Sequence, residues 1–143
     1  MRTRKSPPLL LALAGLVVAG AGCRTRVKHD EPAAGAVGFE LPGNAAVARG
    51  ALLTQPPGRE EVFVPYVAIG ATTWVTACRG EAGTTPPLFV FETDAQGALR
   101  PAAGDSGVTP RDRCLAARAA AGAAPSGLPG QTRVTVQLAL RTP

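Results

Sequence analysis

The chain has 143 residues, with 15 Lys and Arg against 10 Asp and Glu, one histidine and 4% aromatic residues, and its formal charge is +5. That length admits one domain of ordinary size. The lone histidine is His29, and there is no Cys-x-x-Cys pair, phosphate-binding glycine motif or basic patch with interleaved aromatics. The composition therefore argues against metal, nucleotide-dependent and nucleic-acid chemistry, and no cofactor is expected.

Arg2, Arg4 and Lys5 precede an apolar run from Leu9 to Val18, and Gly20, Ala21 and Gly22 lead directly into Cys23. This is the layout of an export signal. Its apolar stretch is about two thirds of the roughly 20 residues needed to span a bilayer, so cleavage is predicted rather than a retained helix. A cysteine directly after small residues resembles the lipobox of bacterial lipoproteins, with Gly20 where that motif usually carries Leu. The resemblance implies that residues 1–22 are a signal peptide and that Cys23 is acylated, and more than one acyl chain makes such an anchor effectively permanent. Arg24 stands where inner-membrane retention would place Asp, which points to the outer membrane, facing the periplasm. Ala19-Gly20-Ala21 also fits ordinary secretory cleavage, which would leave a soluble periplasmic or secreted domain. Removing residues 1–22 takes away three basic and no acidic residues, leaving 12 basic against 10 acidic and a charge of +2. Most of the basicity belongs to the signal.

Residues 23–44 mix charges with Pro32, Pro42, Gly and Ala without periodicity, and are expected to form a lipid-anchored flexible tether. Its basic trio, Arg24, Arg26 and Lys28, is either solvated or in contact with anionic headgroups. Residues 45–143 are left as the domain. Ala45 to Leu53 reads as a short strand or helix, broken by a turn at Gln55-Pro56-Pro57-Gly58, after which Val62 and Val64 alternate as in a strand before Pro65. From Tyr66 to Arg79, Val67, Ala71, Trp74 and Cys78 recur at helical spacing, which predicts a helix despite the β-branched residues between them. On that spacing Trp74 is a core residue rather than a stacking platform.

Leu88 to Thr93 is an apolar, aromatic run, and Asp94-Ala95-Gln96-Gly97 predicts a hairpin turn with Gly97 at positive φ and Ala98 to Ala102 returning as the partner strand. Thr109-Pro110-Arg111-Asp112 offers an N-cap hydroxyl, a proline at the first helical position and an acid three residues after the cap. A helix from Pro110 to about Ala121, stopping at Gly122, follows. Thr132 to Arg141 alternates, with Val134, Val136, Leu138 and Leu140 on one face, as a half-buried strand does.

With Cys23 set aside, Cys78 and Cys114 remain as an even pair in an exported chain. They predict one disulfide, with free buried thiols or a redox pair as the alternatives. The loop between them, about 36 residues, corresponds to roughly 4 kcal/mol of stabilisation in the chain-entropy description.

The order is helix, strand, turn, strand, capped helix, strand, with one cysteine in each helix. The stretch from Val75 to Arg141, with Cys78, Phe89 to Asp94 and Gly97, Arg113-Cys114-Leu115 and Val134 to Leu140, resembles the C-terminal domain of AgmX/PglI-type proteins and, more remotely, the TonB C-terminal domain. It covers about half of the chain, and Arg79 stands where that family usually carries an aromatic. The resemblance implies a small α+β fold, an antiparallel sheet packed against two helices, with the helices side by side so that Cys78 and Cys114 can bond.

These features are those of a non-enzymatic envelope lipoprotein acting as a periplasm-facing protein-protein interaction module. The alternatives are a structural spacer lipoprotein of an envelope complex, or a soluble secreted domain if Cys23 is not acylated. Catalysis needs a nucleophile, base or metal set, whereas Glu60, Glu61, Glu92, Asp94, Asp105 and Asp112 have ready roles as strand, turn and cap residues. The expected partners are the membrane, through the lipid anchor, and envelope proteins, not nucleic acid. The expected binding surface is an open edge of the last strand, with Thr132, Arg133, Thr135, Gln137 and Arg141, where the two arginines guard against self-association.

Overall fold

The computed structural model describes residues 35–83 and 86–142 of the chain. The expectations for Cys23, for the basic trio and for His29 lie outside the described residues. Seven elements follow in order: β1 (Val37–Glu40), β2 (Val47–Gln55), α1 (Glu60–Ala77), β3 (Leu88–Thr93), β4 (Leu99–Pro101), α2 (Pro110–Ala121) and β5 (Arg133–Leu140). The strands form one antiparallel sheet in the order β1-β2-β5-β3-β4. The result is a small α+β fold.

Alternation along the three inner strands puts Leu52 and Thr54 of β2, Val134, Val136 and Leu138 of β5 and Phe89 and Phe91 of β3 on one buried face. α1 lies over β1 and β2, α2 over β3 and β4, and the two helices touch each other. Phe63 and Tyr66 of α1 meet Phe91 edge-on, and Trp74 meets Phe89 in the same way. Trp74 is thus a core residue, as its spacing predicts. Gly50 is small for a reason: a Cβ there would run into the Phe39 ring and the Leu138 side chain.

Local signals explain the C-terminal half. Asp94 Oδ1 accepts from the Gln96 and Ala98 amides, and Gly97 takes a φ of 83°, which a residue with a Cβ rarely adopts. At the start of α2, Thr109 and Asp112 cap each other reciprocally, and Pro110 opens the first turn. Asp112 also takes the Leu88 amide, tying the helix start to β3.

Three expectations are corrected by the structure. The predicted tether runs to residue 44, but Val37–Glu40 is already a strand paired with β2 over Val37↔Leu52 to Glu40↔Arg49. Four residues carry too little alternation to stand out beside Pro42 and Gly43. Val62 and Val64, read as part of a strand, belong to α1, which begins at Glu60 and passes through Pro65. Pro65 is on the exposed side of the helix.

The third correction concerns β5, expected to have an open edge. It is the central strand, with β2 on one side from Leu140 to Arg133 and β3 on the other from Gln137 to Arg133. Alternation reports which face of a strand is buried and carries no information about how many neighbours it has.

Candidate functional site

The five residues expected at a binding edge are dispersed and engaged. Thr135 faces Leu53 of β2 and Val90 of β3, and Gln137 faces Ala51 and Leu88. Thr132 is buried; its amide donates to Thr93 Oγ1 and its hydroxyl to the Gly130 carbonyl. Arg133 pairs with Glu92 at 2.8 Å, and Arg141 donates to the carbonyls of Ala45 and Leu41, holding the chain ahead of β2. Neither arginine guards an edge, so that surface is withdrawn as a binding site.

Cys78 and Cys114 form a disulfide with a Cα separation of 5.9 Å. The bond joins the C-terminal end of α1 to the middle of α2, and Cys78 is buried in the core. Its place among packed side chains is structural. Tyr66 adds a second tie between the helices, its hydroxyl donating to the Ala119 carbonyl at 2.5 Å, and burial pushes the phenol above its ordinary pKa.

Most acids that a catalytic reading would need are already occupied. The Glu60 carboxylate accepts from the Thr54 amide and hydroxyl, both at 3.1 Å, and from the Gly58 amide at 3.0 Å. Thr54 lies where β2 has outrun β1, so the side chain supplies the partner that the short strand does not. Bonding to its own backbone amide first, then to those of Thr54 and Gly58, holds Glu60 below the usual carboxylate range. Bonding to the Ala98 and Gln96 amides does the same for Asp94. A depressed carboxylate contributes stability above its unfolded-state pKa near 4.5 and loses it as pH falls through the lower folded value. Glu60→Gln should therefore flatten the decline of Tm below about pH 4.5, leaving the part of the slope due to Asp94. Thermal melts from pH 2 to 6 check this, and an unchanged slope would assign the acid sensitivity elsewhere.

Two features remain once these ties are accounted for. The first is the outer side of β1. The Leu138 amide donates to Pro87 and the Leu41 amide to Ala48. Alternation then aims the backbone of Phe39 and Val37 at β2 and leaves that of Gly38 and Glu40 on the far side. Among the described residues no strand pairs there. The outer strand at the other end, β4, is three residues long and ends in Pro101. The second feature is a notch of about 370 Å³ at one end of the sheet, lined by Gln55, Glu92, Thr93, Arg100, Gln131, Thr132 and Arg133.

Sequence reasoning missed both. β1 is too short for its alternation to mark it, and the convergence of Glu92 and Arg100 with Arg133 depends on strands far apart in the chain. Among the described residues there is no cluster of His, Cys, Asp and Glu that could hold a metal ion, and no helix is long and apolar enough to cross a membrane. Comparison with protein-family models, with curated proteins and with solved structures found no match.

Proposed function

We propose that the chain is an outer-membrane lipoprotein, acylated at Cys23, whose disulfide-tied domain faces the periplasm and binds an extended segment of an envelope protein along β1, without catalysing a reaction. The observation that carries this reading is the outer side of β1. There the backbone groups of Gly38 and Glu40 point away from β2, and strand addition needs only such groups. The α+β layout, with one cysteine at the C-terminal end of α1 and one within α2, supports a relationship to the AgmX/PglI and TonB C-terminal domains. β1 also follows closely on the signal layout. Cys23 and Gly35 are 12 positions apart, a reach of at most roughly 40 Å, so the partner lies close to the membrane.

The test uses two variants of the full chain in cells. Cys23→Ser should abolish acyl labelling and release the domain from the membrane fraction. Unchanged membrane partition would remove the anchor from the account. Glu40→Pro deletes an N–H that faces away from β2, so the melting temperature should stay within a few degrees while partner recovery falls roughly tenfold. Full recovery with a normal melt would leave the spacer reading ahead.

A further inference from the structure

One row of side chains crosses four strands on the sheet face opposite the helices. The register sets Gln55 beside Arg133, Arg133 beside Glu92, and Glu92 beside Arg100. Glu92 bridges the two arginines, with Oε2 2.8 Å from Arg133 Nη1 and Oε1 3.1 Å from Arg100 Nη2. The carboxylate side chain is 11% exposed, against 35% for Arg133 and 54% for Arg100. This row forms part of the lining of the 370 Å³ notch, which Gln131 and Thr132 help to close.

The two arginines are not equivalent. Arg133 spends its donors on Glu92 and on the carbonyls of Ala103 and Asp105, which makes it a fixed wall. Arg100 is held by Glu92 through Nη2 alone among the described residues, so its guanidinium is oriented while other N–H donors remain for a second acceptor. One carboxylate against two guanidiniums leaves the row itself with a net positive charge, and the Asp94 carboxylate lies within electrostatic reach of Arg100. Gln131 sits at the rim with φ 48°, a backbone region that residues with a Cβ enter sparingly, and its amide is tied to the Asp94 carbonyl. It is exposed, and with Gln55 it brings a side-chain amide to each side of the row.

We propose that this notch is a carboxylate-binding site, in which Arg100, oriented by Glu92, takes the anion, and the Gln131 amide and, further along the row, the Gln55 amide take other polar atoms of the ligand. With the Glu92 and Asp94 carboxylates both beside Arg100, a singly charged acceptor meets less repulsion than doubly charged phosphate, and a planar carboxylate matches the guanidinium fork. The C-terminus of a peptide and a small free acid share this chemistry. The row runs from β2 to β4, at the other side of the sheet from the outer face of β1, so the site stands or falls independently of strand addition there.

The test is an NMR titration of the purified full chain in detergent with four probes: N-acetyl-alanyl-alanine, its C-terminal amide, acetate and inorganic phosphate. The peptide acid should move the Arg100 Nε–H and Gln131 side-chain signals saturably, and the amide should not. Tighter binding of the peptide acid than of acetate assigns a peptide C-terminus, and equal binding assigns a small acid. Arg100→Gln should weaken binding roughly tenfold. Glu92→Gln removes a negative charge from the row while keeping a side-chain oxygen to orient Arg100, and should tighten binding several-fold, which a merely structural ion pair would not do. Equal response to acid and amide, preference for phosphate, or no saturable shift would overturn the proposal, and none of these outcomes depends on a variant folding.

Discussion

Replacing Cys78 and Cys114 together with alanine is expected to lower the stability of the domain by about 4 kcal/mol, the chain-entropy value for closing a 36-residue loop. The crosslink is buried at its Cys78 end, and on its two sides lie the helices that cover opposite halves of the sheet. Small domains are stable by only about 5–15 kcal/mol, so the loss consumes a large part of the total. It should appear as a fall in Tm on the order of 15 °C or more for a domain of this size. Urea unfolding of the double variant beside the oxidised protein measures it. A difference below about 1 kcal/mol would mean that helix packing alone fixes the two halves.

Thr135→Pro should be comparably damaging. The Leu138 amide donates to the β3 side, at Pro87, so alternation along β5 aims the Thr135 backbone at Leu53 of β2. Proline there removes a ladder donor from the central strand, leaves a buried carbonyl of β2 without its partner and forces its ring between two neighbours, a combination that costs on the order of several kcal/mol. The same substitution at Glu40 removes only an outward N–H. Circular dichroism and thermal melts of the pair should show an unfolded or strongly destabilised Thr135→Pro beside a near-normal Glu40→Pro. A folded Thr135→Pro with an unchanged melt would contradict the central placement of β5.

That contrast shows where the sequence was legible. Short-range chemistry reads well: the reciprocal cap of Thr109 and Asp112, the Asp94 to Gly97 turn, the alternation of Val134, Val136 and Leu138, and the helical spacing of Val67, Ala71, Trp74 and Cys78 all appear as their residues predict. Each is decided within a few positions of the chain. The order of strands is not. β5 enters between β2 and β3, which are remote from it in sequence, and nothing in its alternating pattern counts neighbours.

Helix α1 starts earlier than its periodicity suggests: no side chain caps it, but Glu60 and Glu61 put acids in its first turn, and the Glu60 carboxylate ties that turn to the Thr54 and Gly58 amides. Val62, Val64 and Pro65 then fall inside a helix although, as a string, they resemble a strand. β1 stays hidden because four residues gain their identity only from pairing with β2. The notch is hidden for the same reason, since Gln55, Glu92, Arg100 and Arg133 meet only when four strands are in register.

The central claim is that a periplasmic partner lies along β1, and in-cell photo-crosslinking tests it most directly. A photoreactive residue at position 40, on the outer side of β1, is compared with one at Thr73, exposed on α1. The account predicts that position 40 captures one reproducible envelope protein, that position 73 does not, and that Cys23→Ser abolishes the capture by releasing the domain from the membrane. Capture of the same abundant bystanders from both positions, or of nothing from position 40 while the domain remains folded and anchored, would contradict it.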